Sequence, residues 1–146
     1  MLKQLLRSSI AVTLLALLAA CATPAPDATL YQRLGGKPVV EAFVGSTIDR
    51  TSTDERTKRS FDGIKLAPIK ASIAQQICAI SGGGCKYEGE TMAKSHADAK
   101  IQPREFDAMV DILREEMDRA GVNAGAKNDL LKLLAPMKRD IVPVAR

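Results

Sequence analysis

The chain has 146 residues, enough for one domain with or without a leader, and its 46% hydrophobic content supports a packed core rather than disorder. A formal net charge of +4 with both signs scattered along the chain, no tryptophan and 3% aromatic content argue against a nucleic-acid partner. The one histidine, His96, excludes multi-histidine zinc sites and two-histidine non-haem iron sites within a single chain.

Residues 1–20 have the layout of an export leader. Lys3 and Arg7 supply a positive start, and Ile10 to Ala20 form an apolar stretch interrupted only by Thr13. That stretch is too short to stay in a bilayer as a spanning helix. Its end, Leu18-Ala19-Ala20-Cys21, resembles the bacterial lipobox. The resemblance implies cleavage before Cys21, a lipid on its thiol and anchoring at the bacterial cell envelope, with Ala22 favouring the outer membrane. Residues 21–28, with Pro24 and Pro26, then read as a short stiff tether, and 29–146 as the folded domain. The alternative is a secreted protein in which Cys21 is incidental. Export leaves Cys78 and Cys85 as an even pair in an oxidising compartment. A disulfide across Gly82-Gly83-Gly84 is the simplest reading, and two free buried thiols are the alternative.

The remaining segments read as helices. Tyr31 to Leu34 predicts a helical turn ended by Gly35-Gly36. Pro38 then suits a helix start, followed by Val39, Val40, Phe43, Val44 and Ile48 at helical spacing. Thr51 to Ser60 lacks an apolar repeat and reads as a loop or frayed turn, with Arg56, Lys58 and Arg59 as a solvated face. Leu66, Ile69, Ile73, Ile77 and Ile80 mark one apolar helical side, stopped by the three glycines. A short helix over Thr91 to Ala97 takes Thr91 as its cap. A long one starts near Pro103, carries Phe106, Met109, Val110, Leu113 and Met117 on one side, and ends at Gly121. Asn123 caps the last helix, with the stripe Leu130, Leu134, Met137, Ile141 and an interruption at Pro136. No segment alternates long enough to be a strand. The fold class is all-α, with about six helices and no repeats.

His96 lies four residues after Met92, so both project from one side of the short helix. A lone histidine in a helix is usually a surface or hydrogen-bonded core residue. Here the preceding helix is lined by isoleucines, and the core is poor in aromatic volume. An apolar slot facing a single imidazole suits haem, a flat apolar disc that needs one axial nitrogen.

Five motifs in order then carry a resemblance. Leu30-Tyr31-Gln32-Arg33-Leu34-Gly35-Gly36 looks like the opening of group I truncated haemoglobins. Gly82-Gly83-Gly84-Cys85-Lys86-Tyr87-Glu88-Gly89 resembles their second glycine motif, and Met92-Ala93-Lys94-Ser95-His96 their Met-x-x-x-His. Phe61 falls where the family places a phenylalanine on the haem face, and Ala135 to Val142 resembles its C-terminal pattern. The resemblance spans Tyr31 to Val142. It implies a truncated globin, a two-over-two helical sandwich holding haem b, with His96 as the iron ligand. The implied pocket residues are Phe61, Ile48, Ile69, Ile73, Ile77, Tyr87, Met92 and Lys94, with Lys65 and Lys70 as further candidates to pair with haem propionates. The implied partner is a diatomic gas: oxygen, nitric oxide or carbon monoxide.

Departures from the family pattern bear on function. Members usually carry a tyrosine on the second helix that donates a hydrogen bond to the bound gas. Counting back from Phe61, that position is Ile48, and the facing positions are Ile69 and Ile73, so the pocket is expected to be unusually apolar. A register slip of one would instead turn the Thr47 hydroxyl inward. Asp98-Ala99-Lys100 stand where the family has a third glycine. A haem enzyme, a nitric oxide dioxygenase or weak peroxidase, is the second reading, and it would need acid–base help and an unknown electron donor. A haem-free tethered interaction module is the third. Gas binding without catalysis is the reading preferred.

Overall fold

The computed structural model describes residues 27–142; the leader, Cys21 and most of the tether lie outside the described residues. These form seven α-helices: α1 (Leu30–Arg33), α2 (Gly36–Thr53), α3 (Leu66–Ile80), α4 (Met92–His96), α5 (Pro103–Arg119), α6 (Ala124–Leu134) and α7 (Lys138–Ile141). Two 3₁₀ turns join them, Lys58–Phe61 before α3 and Ala135–Met137 between α6 and α7. No strand occurs among the described residues, and none of their helices is long and apolar enough to cross a membrane.

Thr29 and Gln32 form a reciprocal cap on α1: the Thr29 N–H donates to Gln32 Oε1 at 2.9 Å, and the Gln32 N–H to Thr29 Oγ1 at 3.2 Å. Gly35 then reverses the chain at φ 98°, and a Cβ there would sit 2.5 Å from the Val39 side chain. Only glycine meets both demands. The second helix begins at Gly36, two residues ahead of the expected Pro38, which therefore occupies the first turn where no intrahelical N–H is needed.

Helix α2 packs across both α3 and α5, and this crossing builds the core. Phe43, Val40 and Val44 of α2 meet Ile77 of α3 and Met117 of α5, with Leu34, Val122, Ala126 and Leu130 closing the cluster. The helix runs on to Thr53, through the start of the stretch expected to be a loop. Buried hydroxyls carry it there: Thr47 donates to the Phe43 carbonyl at 2.7 Å and Thr51 to the Thr47 carbonyl at 2.6 Å. Thr57 then donates to the Thr51 carbonyl at 2.6 Å and folds the chain back. An apolar count misses such residues because each satisfies its polar atom within its own backbone.

Arg56, Lys58 and Arg59 are all exposed, as expected of a solvated face; Arg56 and Lys58 pair with the nearby Asp54 and Glu55, while Arg59 reaches a partner far along the chain. Its guanidinium holds both carboxylate oxygens of Glu105, at 2.9 and 2.6 Å, and also donates to the Lys100 carbonyl at 3.2 Å. Glu105 is buried, and it accepts from the Gln102 N–H as part of the α5 cap. The Arg59 hydrogen bonds hold its carboxyl below the ordinary range, against burial, which acts the other way. Because the folded carboxyl is the stronger acid, its contribution is fully present above the ordinary glutamate value of 4.5 and is lost as the pH falls below it. Glu105→Gln should therefore lower stability by about 1–2 kcal/mol at neutral pH, discounted for the half-exposed guanidinium. Thermal midpoints of the two proteins should converge in acid; an equal gap at both pH values would refute this account.

Pro103 opens α5 and Gly121 follows its end, as expected. Asn123 caps α6, accepting from the Ala126 N–H at 2.9 Å. Pro136 lies in the 3₁₀ turn that separates α6 from α7, the interruption expected of a ring that cannot donate. Cys78, at the end of α3, is disulfide-bonded to Cys85 across the glycine turn.

Candidate functional site

A cavity of about 310 Å³ lies between the face of α3 and the helices that oppose it. Helix α2 contributes Val44, Thr47 and Ile48, and α3 contributes Ile69, Ser72, Ile73, Gln76 and Ile77. Helix α5 adds Phe106, Met109, Val110 and Leu113, and the chain's last described turns add Leu134, Met137 and Ile141. Tyr87, Met92, Ser95 and His96 complete the lining. The walls are dominated by branched aliphatic and thioether side chains, so water gains little by entering.

His96 is the one imidazole here, and its tautomer follows from its partner. Its Nδ1 lies 2.8 Å from the Met92 carbonyl oxygen, one turn back in α4. A carbonyl can only accept, so Nδ1 carries a proton, and in the neutral ring the lone pair is then on Nε2. Thr91 caps this five-residue helix by accepting from the Lys94 N–H, which fixes the turn on which the imidazole stands. Among the described residues no group of three or more histidine, cysteine or acidic side chains could hold a metal ion. One nitrogen in an apolar cavity cannot retain a bare cation. It can complete the coordination of a metal that brings its own ligand ring.

Of the residues singled out from sequence, Ile48, Ile69, Ile73, Ile77, Tyr87, Met92 and His96 line this cavity. Phe61 does not: it ends the 3₁₀ turn half-buried, and the phenylalanine in the lining is Phe106. Lys94 is also outside it. The residue lies two positions from both Met92 and His96, so its side chain leaves that face of α4 and pairs with Glu90 at 2.7 Å. Lys70 pairs with Asp49 at 2.6 Å, Lys65 is exposed ahead of α3, and no lysine lines the cavity. The two registers considered for α2 are not exclusive, since Thr47 and Ile48 both reach the lining.

Ser72 and Gln76 correct the expectation of an all-isoleucine wall. They follow Ile69 and Ile73 by three residues, the spacing of one helical face, so their positions were readable but their polarity hid them. Gln76 Nε2 approaches the sulfurs of Met92 and Met137 at 3.9 and 3.8 Å. Thr47 adds no donor to the cavity, because its hydroxyl proton points to the Phe43 carbonyl.

Residues 29–142 match the family model described as bacterial-like globin. A group 1 truncated hemoglobin, GlbN, from Nostoc sp. (strain MUN 8820) is 32% identical over 114 residues, covering 78% of this chain and 97% of the relative. The GlbN of Nostoc commune is 31% identical with the same coverage. Among solved structures, the Fe(III) form of Tetrahymena pyriformis truncated hemoglobin superposes with a TM-score of 0.74 at 24% identity, covering 79% of this chain and 98% of that one. The 2/2 hemoglobin of Synechococcus sp. PCC 7002 gives 0.72 at 22% identity, with coverage of 79% and 98%. The fold is the two-over-two helical sandwich.

Proposed function

Because the chain belongs to the bacterial-like globin family, we propose that its cavity holds haem b, with His96 as the single protein ligand to iron, and binds a diatomic gas. The observation that carries this reading is the His96 hydrogen bond: Nδ1 is committed to the Met92 carbonyl, which leaves Nε2 as the ring nitrogen available for coordination on a residue lining an apolar cavity. When bound, haem supplies an iron with one coordination position open to oxygen, nitric oxide or carbon monoxide. The chain's own residues do the rest. The Met92 carbonyl accepts a hydrogen bond from Nδ1–H and so fixes the orientation of the imidazole ring. Ile48, Ile69 and Ile73 exclude water from the cavity. Titrating the protein with haem and following its absorption band, beside His96→Ala, tests the assignment directly; a wild type that takes up no haem defeats it.

The pocket is proposed to be poor in donors on the α2 side, where Ile48 has none and Thr47 has none to give. A nearby donor slows the loss of bound oxygen, which carries partial negative charge, more than that of carbon monoxide. Ile48→Tyr should therefore slow oxygen release by about ten- to a hundredfold, the effect of one charge-assisted hydrogen bond. Stopped-flow dissociation measures it, and an unchanged oxygen rate in a haem-loaded variant would refute the donor-poor wall.

The gas-binding domain covers residues 29–146, behind a leader of 1–20 and a tether whose Cys21 carries lipid at the cell envelope. The lipobox-like end of the leader supports export, and the Cys78–Cys85 bond is in keeping with an oxidising compartment.

A further inference from the structure

The polar contacts of residues 84–99 are almost entirely their own. Lys86 pairs with Glu88, the Tyr87 hydroxyl donates to the Glu90 carbonyl, Lys94 pairs with Glu90, and His96 turns back to Met92. Among the described residues, the only hydrogen bond leaving this stretch is the weak Gln76 amide contact with the Met92 sulfur. Residues 85–91 form no helix, yet they carry Tyr87 into the cavity wall and lead into α4, which packs chiefly against α7. Beyond the main chain itself, one cross-link ties this stretch to α3, whose isoleucines form the opposite wall: Cys78–Cys85.

The two sulfurs are not equivalent. Cys78 is 2% exposed, and Gly83 packs so closely over it that a Cβ there would meet its Sγ at 2.5 Å and the Tyr31 ring at 2.7 Å. Cys85 is exposed. Attack on the bond is therefore open at Cys85 and screened at Cys78. Release of Cys78 as a thiolate is disfavoured, because it is buried at the C-terminal turn of a helix, where negative charge is unwelcome. A monothiol that attacks Cys85 is expelled again by the Cys78 sulfur it frees. A dithiol does better, because its second thiol traps the opened state.

We infer that Cys78–Cys85 is an exchange site for a dithiol oxidoreductase, entered at Cys85, and that its opening loosens the segment that presents His96. In the step, a partner thiolate attacks Cys85 Sγ, the Cys78–Cys85 bond breaks, and Cys78 leaves with the electron pair and takes up a proton. The partner's second thiol then displaces Cys85, which leaves as a thiol. The partner is oxidised to its disulfide and this chain is reduced by the same two electrons and two protons. In the open form, the main chain through residues 81–84 is the one covalent tie left between residues 85–91 and α3, and α4 rests chiefly on α7. The consequence for haem rests on the assignment proposed above; the consequence for the segment does not.

The test uses the whole folded chain, disulfide-bonded or reduced with dithiothreitol and alkylated, beside the Cys78→Ser, Cys85→Ser double variant. Haem transfer to an excess of a high-affinity apoglobin should be roughly tenfold faster from the reduced protein, within the constraint that a short disulfide loop imposes on local opening. Hydrogen exchange without haem should show amides 86–96 losing protection on reduction while α2 and α5 keep theirs. With excess glutathione and rapid alkylation of the freed thiol, which prevents its return, mass spectrometry should find the adduct on Cys85. Equal protection of 86–96 in both redox states, or an adduct chiefly on Cys78, would overturn the inference. If neither form takes up haem, the haem assignment fails while the exchange comparison still decides this one. If the serine variant does not fold, reduction of the folded wild type gives the same comparison.

Discussion

Alanine at position 96 is expected to remove haem binding, lowering haem affinity by more than about a hundredfold, beyond what loss of an outer-shell partner alone costs. His96 is the only histidine in the chain, so no second imidazole can take its place, and the sulfurs of Met92 and Met137 already face the Gln76 amide. The apolar walls would still admit a flat apolar ring, so weak, unligated uptake is the expected residue of binding. Added imidazole should restore the absorption band in the variant, because truncation opens a hole of that shape beside the iron. The haem-free variant should melt close to the haem-free wild type, since the His96 ring is half-buried and its one hydrogen bond is to its own helix. An unchanged band in the variant would mean that another atom holds the iron.

Phe43→Ala is the substitution expected to cost most in stability, about 3–5 kcal/mol. Phe43 is 1% exposed and heads the fully buried side chains by volume. It sits on the face of α2 where α3 and α5 both cross, so surrounding helices cannot collapse into the gap without moving the core's main contact. A midpoint fall of roughly 10–20 °C follows for a domain of this size. The carbonyl of residue 43 would still accept the Thr47 hydroxyl, so α2 itself should survive and far-ultraviolet circular dichroism at low temperature should be nearly unchanged. A loss under 1 kcal/mol would mean that the core rests elsewhere.

The helices were legible wherever burial and polarity agree along the chain. Helix α5 is the clearest instance: a proline opens it, a glycine follows it, and its apolar side faces the cavity and core. Its two misleading residues are Glu105 and Glu116, buried against Arg59 and Arg50 from distant segments, pairings no local pattern reports. The end of α2 was hidden for a related reason, since Thr51 and Thr57 are buried with their hydroxyls bonded to nearby carbonyls. At the site, the motif around Met92 and His96 located the imidazole and the cavity wall, while Ser72 and Gln76 escaped because isoleucines dominate their face. Phe61 and Lys94 were carried by position in a motif. Position does not say where a side chain points, and neither reaches the cavity lining.

The support beneath His96 has a consequence for the order of assembly. Helix α4 is too short to persist alone, and the element it chiefly meets is α7, the last described turn of helix. On a chain made from its N-terminus, the α2–α3 crossing can form early, since its two helices are close in sequence. The imidazole stays without its platform until the ribosome has released Lys138 to Ile141 and they have docked. A cofactor arriving sooner would meet one wall and an unsupported imidazole, so loading is expected to follow the docking of α7.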